Sequence, residues 1–152
     1  MISRTHRAVY GFIAGAVATL VFHQCMFAIL AAAGWVAQRP WRMTPVPPFS
    51  VPAIINLAFW GGVWGIGFAL LHGRLGAALG GAPSWVRGMM YSAIGPMLLG
   101  SWLIVPLIKG NAIMAGFAPD RMLVSFLLNA IAFGAGLGIT NALLIGQPNR
   151  TP

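Results

Sequence analysis

Charged side chains are so rare and so unevenly spaced that the chain divides into long neutral runs. Only 7% of its 152 residues are charged, against roughly 25% in a typical soluble domain. A helix needs about 20 mostly apolar residues to cross the hydrocarbon core of a bilayer, and four neutral runs are long enough. Trimmed at their Pro, Gln and Gly ends, they predict spans at about 8–33, 52–71, 88–108 and 122–146. The sequence therefore predicts an all-α, polytopic membrane protein.

The four spans leave no room for a soluble domain, so residues 1–152 are expected to form one transmembrane domain, a compact four-helix bundle. Every span contains two small or proline residues four positions apart, a spacing that lets helix backbones approach closely. These pairs are Gly11/Gly15, Gly61/Gly65, Pro96/Gly100 and Gly134/Gly138. They predict tight helix–helix packing.

Spans two and four resemble each other over residues 56–71 and 129–144. Aligned without a gap, they match at Asn56/Asn129, Gly61/Gly134, Gly65/Gly138 and several further positions. Spans one and three add only the matches Tyr10/Tyr91 and Ile13/Ile94. The pattern favours a duplicated helical hairpin with its axis along the membrane normal, although a Gly-, Ala- and Leu-rich chain also produces chance matches.

The orientation is predicted from basic residues near the span ends, because these favour the cytoplasm. With the N-terminus inside, the cytoplasmic residues are Arg4, Arg7, Arg74, Arg87 and Arg150, and those outside are Arg39, Arg42, Lys109 and Arg121. The first span usually dominates, and the Arg4/Arg7 pair flanks it. We therefore expect both termini in the cytoplasm, with the protein in a bacterial inner membrane. The near balance of charges also permits dual insertion.

Reactive side chains are too few for most kinds of catalysis. The sequence has no Glu; its only acidic side chain is Asp120, and its only thiol is Cys25. Paired-carboxylate catalysis, a cysteine-based zinc site and an iron–sulfur centre are thereby excluded. No phosphate-loop, dinucleotide or metalloprotease motif is present. We therefore expect a protein that is not an enzyme and holds no cofactor and no metal.

Polar side chains in the outer half of the spans are the candidate ligand-binding residues. His23 is the only ionisable group deep in a span, and such groups are functional candidates by default. The predicted cluster is His23, Gln24, Asn56, Ser101 and Asn129. It could bind a quinone carbonyl, a small polar solute or a lipid headgroup, or provide interhelical hydrogen bonds worth about 0.6 kcal/mol each. A bis-histidine haem is disfavoured because His6 and His72 do not match the depth of His23.

The connection at residues 34–51 carries four prolines and is predicted to be stiff and extended. It contains Trp35, Arg39, Trp41 and Arg42, side chains typical of the membrane interface. The segment either lies flat on the lipid or docks a partner. Trp60 and Trp64 of span two add apolar area suited to a neighbouring protein. The formal net charge of +8 favours anionic lipid headgroups over nucleic acid as a partner.

The leading functional hypothesis is a non-catalytic accessory subunit or assembly factor of a larger inner-membrane complex, in contact with other membrane subunits or a second copy. The alternative is a small oligomeric transporter or channel, or a quinone- or lipid-binding protein that uses the outer polar cluster. Water access to Asn56 and Asn129 distinguishes these hypotheses, because a solute pathway must admit water and a packed interface excludes it.

Three segments resemble small uncharacterised four-helix inner-membrane proteins of proteobacteria: GAVATLVFHQ at 15–24, MTPVPPFSVPAIINLAFWGGVWGI at 43–66 and NALL at 141–144. This resemblance implies the four-span fold and no particular activity. The RPW and PP elements at 39–48 also resemble the tryptophan-rich sensory protein family, which binds porphyrins. That family has five spans, so its ligand is not carried over to this chain.

Overall fold

The computed structural model describes residues 3–145 and is mostly helical (78%). Four of its helices are long and apolar enough to cross a membrane: α1 (Arg4–Ala32), α2 (Ala53–Ala78), α3 (Ser84–Lys109) and α4 (Pro119–Ile145). The predicted number of spans is confirmed. Each helix begins or ends a few residues beyond the predicted apolar span, because long basic side chains at a helix end can reach the headgroups while the backbone stays helical. The predicted span end at 146 and Arg150 lie outside the described residues.

The α1–α2 connection folds back on itself. Its strands β1 (Pro45–Val46) and β2 (Val51–Pro52) are antiparallel, so the path predicted to be extended throughout is partly a short hairpin. Two carbonyl groups just ahead of this hairpin accept from the first turn of α2. The Ala53 N–H donates to the Thr44 carbonyl (2.9 Å), and the Ile54 N–H donates to the Arg42 carbonyl (3.1 Å). The connection thus satisfies N–H groups that a helix start leaves free.

The four helices lie side by side, and each contacts two others. α1 packs against α2 and α4, and α3 packs against α4 and, over a shorter stretch, against α2. The fully apolar centre lies between them and consists of Ala14, Ala18, Phe68, Phe133 and Leu137. A short 3-10 helix, Met114–Phe117, joins α3 to α4.

Glycines bring the backbones of α1 and α2 into direct contact. A Cβ atom built at Gly15 would overlap the carbonyl oxygen of Gly61, and one built at Gly65 would overlap that of Gly11. One at Gly61 would also overlap the hydroxyl of Thr19. The small-residue pairs predicted for spans one and two therefore face each other.

The α3–α4 contact is also a close approach of two backbones at small residues. On α3, however, these residues are not the predicted pair Pro96/Gly100. A Cβ at Gly88 would overlap the Gly134 carbonyl, and one at Gly138 would overlap the Ser84 carbonyl. The pair that α3 presents to α4 is thus Ser84/Gly88. Gly100 instead faces the ring of Trp64 on α2, because Gly100 lies on the side of α3 that faces α2.

Candidate functional site

His23 and Gln24 are buried where the α1–α2 connection returns to α1. Their side chains are 8% and 5% exposed. The Gln24 amide nitrogen lies 3.3 Å from His23 Nδ1, and the His23 ring stacks on Phe27 with centroids 6.4 Å apart. The histidine is therefore held by an amide and an aromatic ring, with no carboxylate beside it that would tune it for proton transfer.

Trp41 fixes the connection to the same turn of α1. Its backbone N–H donates to Gln24 Oε1 at 2.7 Å, and its indole N–H donates to the Leu20 carbonyl at 2.9 Å. Leu20 lies in the segment Ala18–His23, where α1 widens into π-type turns, and such turns often mark functional positions. The interaction partner of Gln24 is thus the backbone of the connection.

The other predicted ligand residues are hydrogen-bonded within their own helices or are exposed. The Ser101 hydroxyl donates to the Pro96 carbonyl at 3.1 Å within its own helix. The Asn129 amide donates to the Ser125 carbonyl at 3.0 Å and lies 3.3 Å from the Ser125 hydroxyl. Asn56 is exposed on α2. The hydrogen bonds of Ser101 and Asn129 thus stay within their own helices.

An open cavity of about 640 Å³ lies between the end of α1 and the start of α4. It is lined by Trp35, Val36, Asp120, Arg121, Leu123, Val124, Ser125, Leu128 and Asn129. We call it the outer cavity. Of the predicted ligand residues, only Asn129 lines it. Its apolar wall with a carboxylate, a guanidinium and an amide suits an amphipathic molecule.

The residues predicted to contact a partner also occupy different environments. Trp35 and Trp60 are about half exposed, at 56% and 53%, and Arg39 and Arg42 are exposed. Trp41 is bound to α1 as described above. Trp64 packs on Gly95 and Gly100 of α3, so its ring is part of the contact between helices.

A polar group at the opposite end of the helices was not predicted as a unit. The Ser84 hydroxyl donates to the Gly138 carbonyl at 2.8 Å and lies 3.2 Å from His72 Nε2. Arg87 lies beside it and donates from Nε to the Ala82 carbonyl at 2.6 Å. The sequence signal that could have indicated this group was a serine at the start of one span and a histidine at the end of the preceding span. The group ties α2, α3 and α4 together.

A metal site is not among the arrangements found. Within residues 3–145, no three His, Cys, Asp or Glu side chains come together as metal ligands would. His6 and His72, which share one end of the molecule, bond to different serines: His6 Nδ1 lies 2.8 Å from Ser3 Oγ, and His72 lies near Ser84.

The four long apolar helices suggest a multi-pass membrane protein. The polar side chains described above form hydrogen bonds mainly within and between these helices. No family model, curated protein or solved structure matches the chain.

Proposed function

We propose that this protein is a non-catalytic accessory subunit or assembly factor of a larger inner-membrane complex. The observation that carries the proposal is an outward surface on α2, formed by Asn56, Phe59, Trp60 and Val63, which we call the α2 face. All four residues are exposed. The Phe59 and Trp60 rings meet edge to face with centroids 5.5 Å apart. Aromatic anchors of this kind dominate many protein interfaces.

The corresponding surface of α4 supports this interpretation by contrast. There, Phe133 is only 4% exposed, and Gly136 lies against the ring of Phe22 on α1. The repeat places these residues on the face equivalent to the α2 face, and in α4 the chain itself covers that face. In α2 the face remains open, with an amide that hydrocarbon solvates poorly. A neighbouring protein would cover the rings and offer the amide a hydrogen-bond partner.

A photo-crosslinking side chain placed at Val63 tests this proposal in the native membrane. The matched control is the same side chain at Leu143, which is 79% exposed on α4. We expect an adduct with a different membrane protein from position 63 and lipid adducts only from position 143. Mass spectrometry of the adduct identifies the partner. An adduct of two copies would replace the subunit proposal by a homo-oligomer, and lipid adducts alone at position 63 would contradict both.

The outer cavity favours a second candidate, a small oligomeric transporter or channel, or a quinone- or lipid-binding protein. Its support is one predicted ligand residue, Asn129, beside Ser125 and the carboxylate of Asp120 in an open cavity. The test compares Asn129→Cys with Ala130→Cys, a neighbour that is 1% exposed. Rapid reaction of position 129 alone with a membrane-impermeant thiol reagent supports a water-accessible site. Slow reaction at both positions contradicts it.

We also propose that the four helices form a compact bundle built from a duplicated hairpin. The shift that carries Gly61 to Gly134 also carries Gly65 to Gly138, Gly15 to Gly88, and Gly11 to Ser84. These residues make the α1–α2 and α3–α4 contacts. One and the same shift in residue number thus relates the contact residues of the two proposed halves. The Tyr10/Tyr91 match between spans one and three requires a different shift. We also propose that the chain belongs to the proteobacterial four-helix family and that both of its termini lie in the cytoplasm.

A further inference from the structure

Three arginines surround a cavity between the start of α1 and the end of α2. The cavity has a volume of about 540 Å³ and is lined by Arg4, Arg7, Leu70, Leu71 and Arg74. Arg4 and Arg7 are one helical turn apart on α1, and Leu70 and Arg74 are one turn apart on α2, so each pair lies on one side of its helix. We call this cavity the arginine cavity.

Direct backbone contact holds the two sides of the arginine cavity in place. Gly11, one turn from Arg7, lies against Gly65 and the methyl group of Ala69 on α2. Because neither glycine has a side chain, the helices touch at this point and the adjacent arginines are brought close to one another. The arrangement is therefore set by the fold, although the three arginine side chains themselves are exposed.

The positive charge at this end has no acidic side chain to balance it. Asp120 is the only acidic residue in the sequence, and it lies at the start of α4, at the opposite end of the helices. The α1 N-terminus adds the positive end of its helix dipole, with the His6 N–H capped by Ser3 Oγ at 3.2 Å. Guanidinium groups bind phosphate oxygens in pairs of parallel hydrogen bonds. The chemistry of the cavity is that of a phosphate site.

The two leucines show from which direction such a ligand would enter. Leu70 and Leu71 are 48% and 38% exposed, and they precede Arg74 by about one turn, on the side of the helix centre. The cavity therefore has a basic wall at the membrane surface and an apolar wall toward the hydrocarbon. A free phosphate would use only the basic wall, whereas a phospholipid would use both.

We propose that the arginine cavity binds the phosphodiester headgroup of an anionic phospholipid, with its acyl chains along Leu70 and Leu71. The site is independent of the α2 face and of the outer cavity. Basic pockets between helices at a membrane surface are suited to such headgroups. The bound lipid would offset the repulsion among three guanidinium groups and join α1 to α2 at this end.

Native mass spectrometry of the full-length protein with added lipid tests the proposal. The probes are dioleoyl phosphatidylglycerol and dioleoyl phosphatidylcholine, which carry the same acyl chains. We expect wild type to prefer the anionic lipid by about tenfold or more, and the variant R4Q/R7Q/R74Q to lose this preference. The control R39Q/R42Q/K109Q removes equal charge at the opposite end, outside the outer cavity, and should retain the preference within about twofold.

The outcomes separate a built site from general attraction. Equal loss in both triple variants, or no preference in wild type, would overturn the proposal. Competition with soluble glycerol 3-phosphate distinguishes the two phosphate sources: weak competition supports the lipid, and complete displacement at lipid-equivalent concentration contradicts it. If the triple variant does not fold by circular dichroism, Arg4→Gln and Arg74→Gln alone should each weaken the preference several-fold, and unchanged preference in both would refute the site.

Discussion

At the scale of single residues, glycines decide which helices touch. Gly61 and Gly134 each lie where an added Cβ atom would meet the neighbouring helix: Thr19 and Gly15 for the first, Met89 and Gly88 for the second. Substitutions at these glycines therefore report on contacts within the chain. They do not test for an external partner.

We predict that Gly61→Ala and Gly134→Ala each destabilise the protein by about 1–3 kcal/mol, the usual cost of overpacking a close contact. Gly73→Ala is the control, because Gly73 is also within α2 and nothing lies within 4 Å of an added Cβ. That substitution should gain up to about 1 kcal/mol from helix propensity. Reversible unfolding in mixed micelles, followed by circular dichroism, measures all three. Equal stability of the three variants would contradict the α1–α2 and α3–α4 contacts.

At the scale of elements, the α1–α2 connection is attached to a helix through one residue, Trp41. Trp41 has a positive φ of 48°, an uncommon conformation for a residue other than glycine. Both its backbone and its indole N–H donate to α1. The connection is therefore held against the helix by specific hydrogen bonds, and its tryptophan is not simply an anchor in the lipid interface.

Trp41→Phe should loosen the connection, because it removes the indole donor and leaves the Leu20 carbonyl without that partner. A hydrogen bond is worth about 0.5–1.5 kcal/mol net, so opening should become roughly two- to tenfold more frequent. Hydrogen exchange of the backbone amide at position 41, which donates to Gln24 in the wild type, measures the opening. Trp35→Phe is the matched control and should leave this exchange rate unchanged. Faster exchange in the control alone would show that Trp41 does not hold the connection.

At the scale of the whole molecule, its two ends differ in charge and in packing. One end carries the arginine cavity and the Ser84–His72 group. The other carries the outer cavity with the only acidic side chain. Neighbouring helices are antiparallel, since Gly11 faces Gly65 while Gly15 faces Gly61, and Gly88 faces Gly134 while Ser84 faces Gly138. Residues 42 and 80 follow successive helices and therefore lie at opposite ends. Which end faces the cytoplasm decides which leaflet supplies lipid to the arginine cavity.

Reporter fusions test the orientation. A phosphatase that is active only outside the cytoplasm should be active when fused after Arg42 and inactive when fused after Gly80, since basic residues flank the first span at its cytoplasmic side. A cytoplasmic reporter at the same positions should give the reverse pattern. Equal activity of both reporters at both positions would indicate dual insertion, and an inverted pattern would refute the proposed topology.

Much of the fold could be predicted because membrane insertion depends on properties that add along the chain. Mean hydropathy and the spacing of charges are local, so the number and approximate bounds of the four helices follow from the printed residues. The pairs Gly11/Gly15 and Gly61/Gly65 were recognisable for the same reason, since their spacing of four places them on one side of a helix.

Only the tertiary structure decided which side of each helix meets which neighbour. Helical spacing alone did not distinguish Gly88 from Gly100, nor show that Ser101 and Asn129 would bond within their own helices, because both depend on the rotation of each helix about its axis. The same rotation buries Phe133 and leaves Trp60 exposed, although the two lie at equivalent positions of the proposed repeat. The arginine cavity likewise exists only because Gly11 and Gly65 bring two helix ends together. Contacts between distant residues are properties of packing, and packing is not additive along the chain.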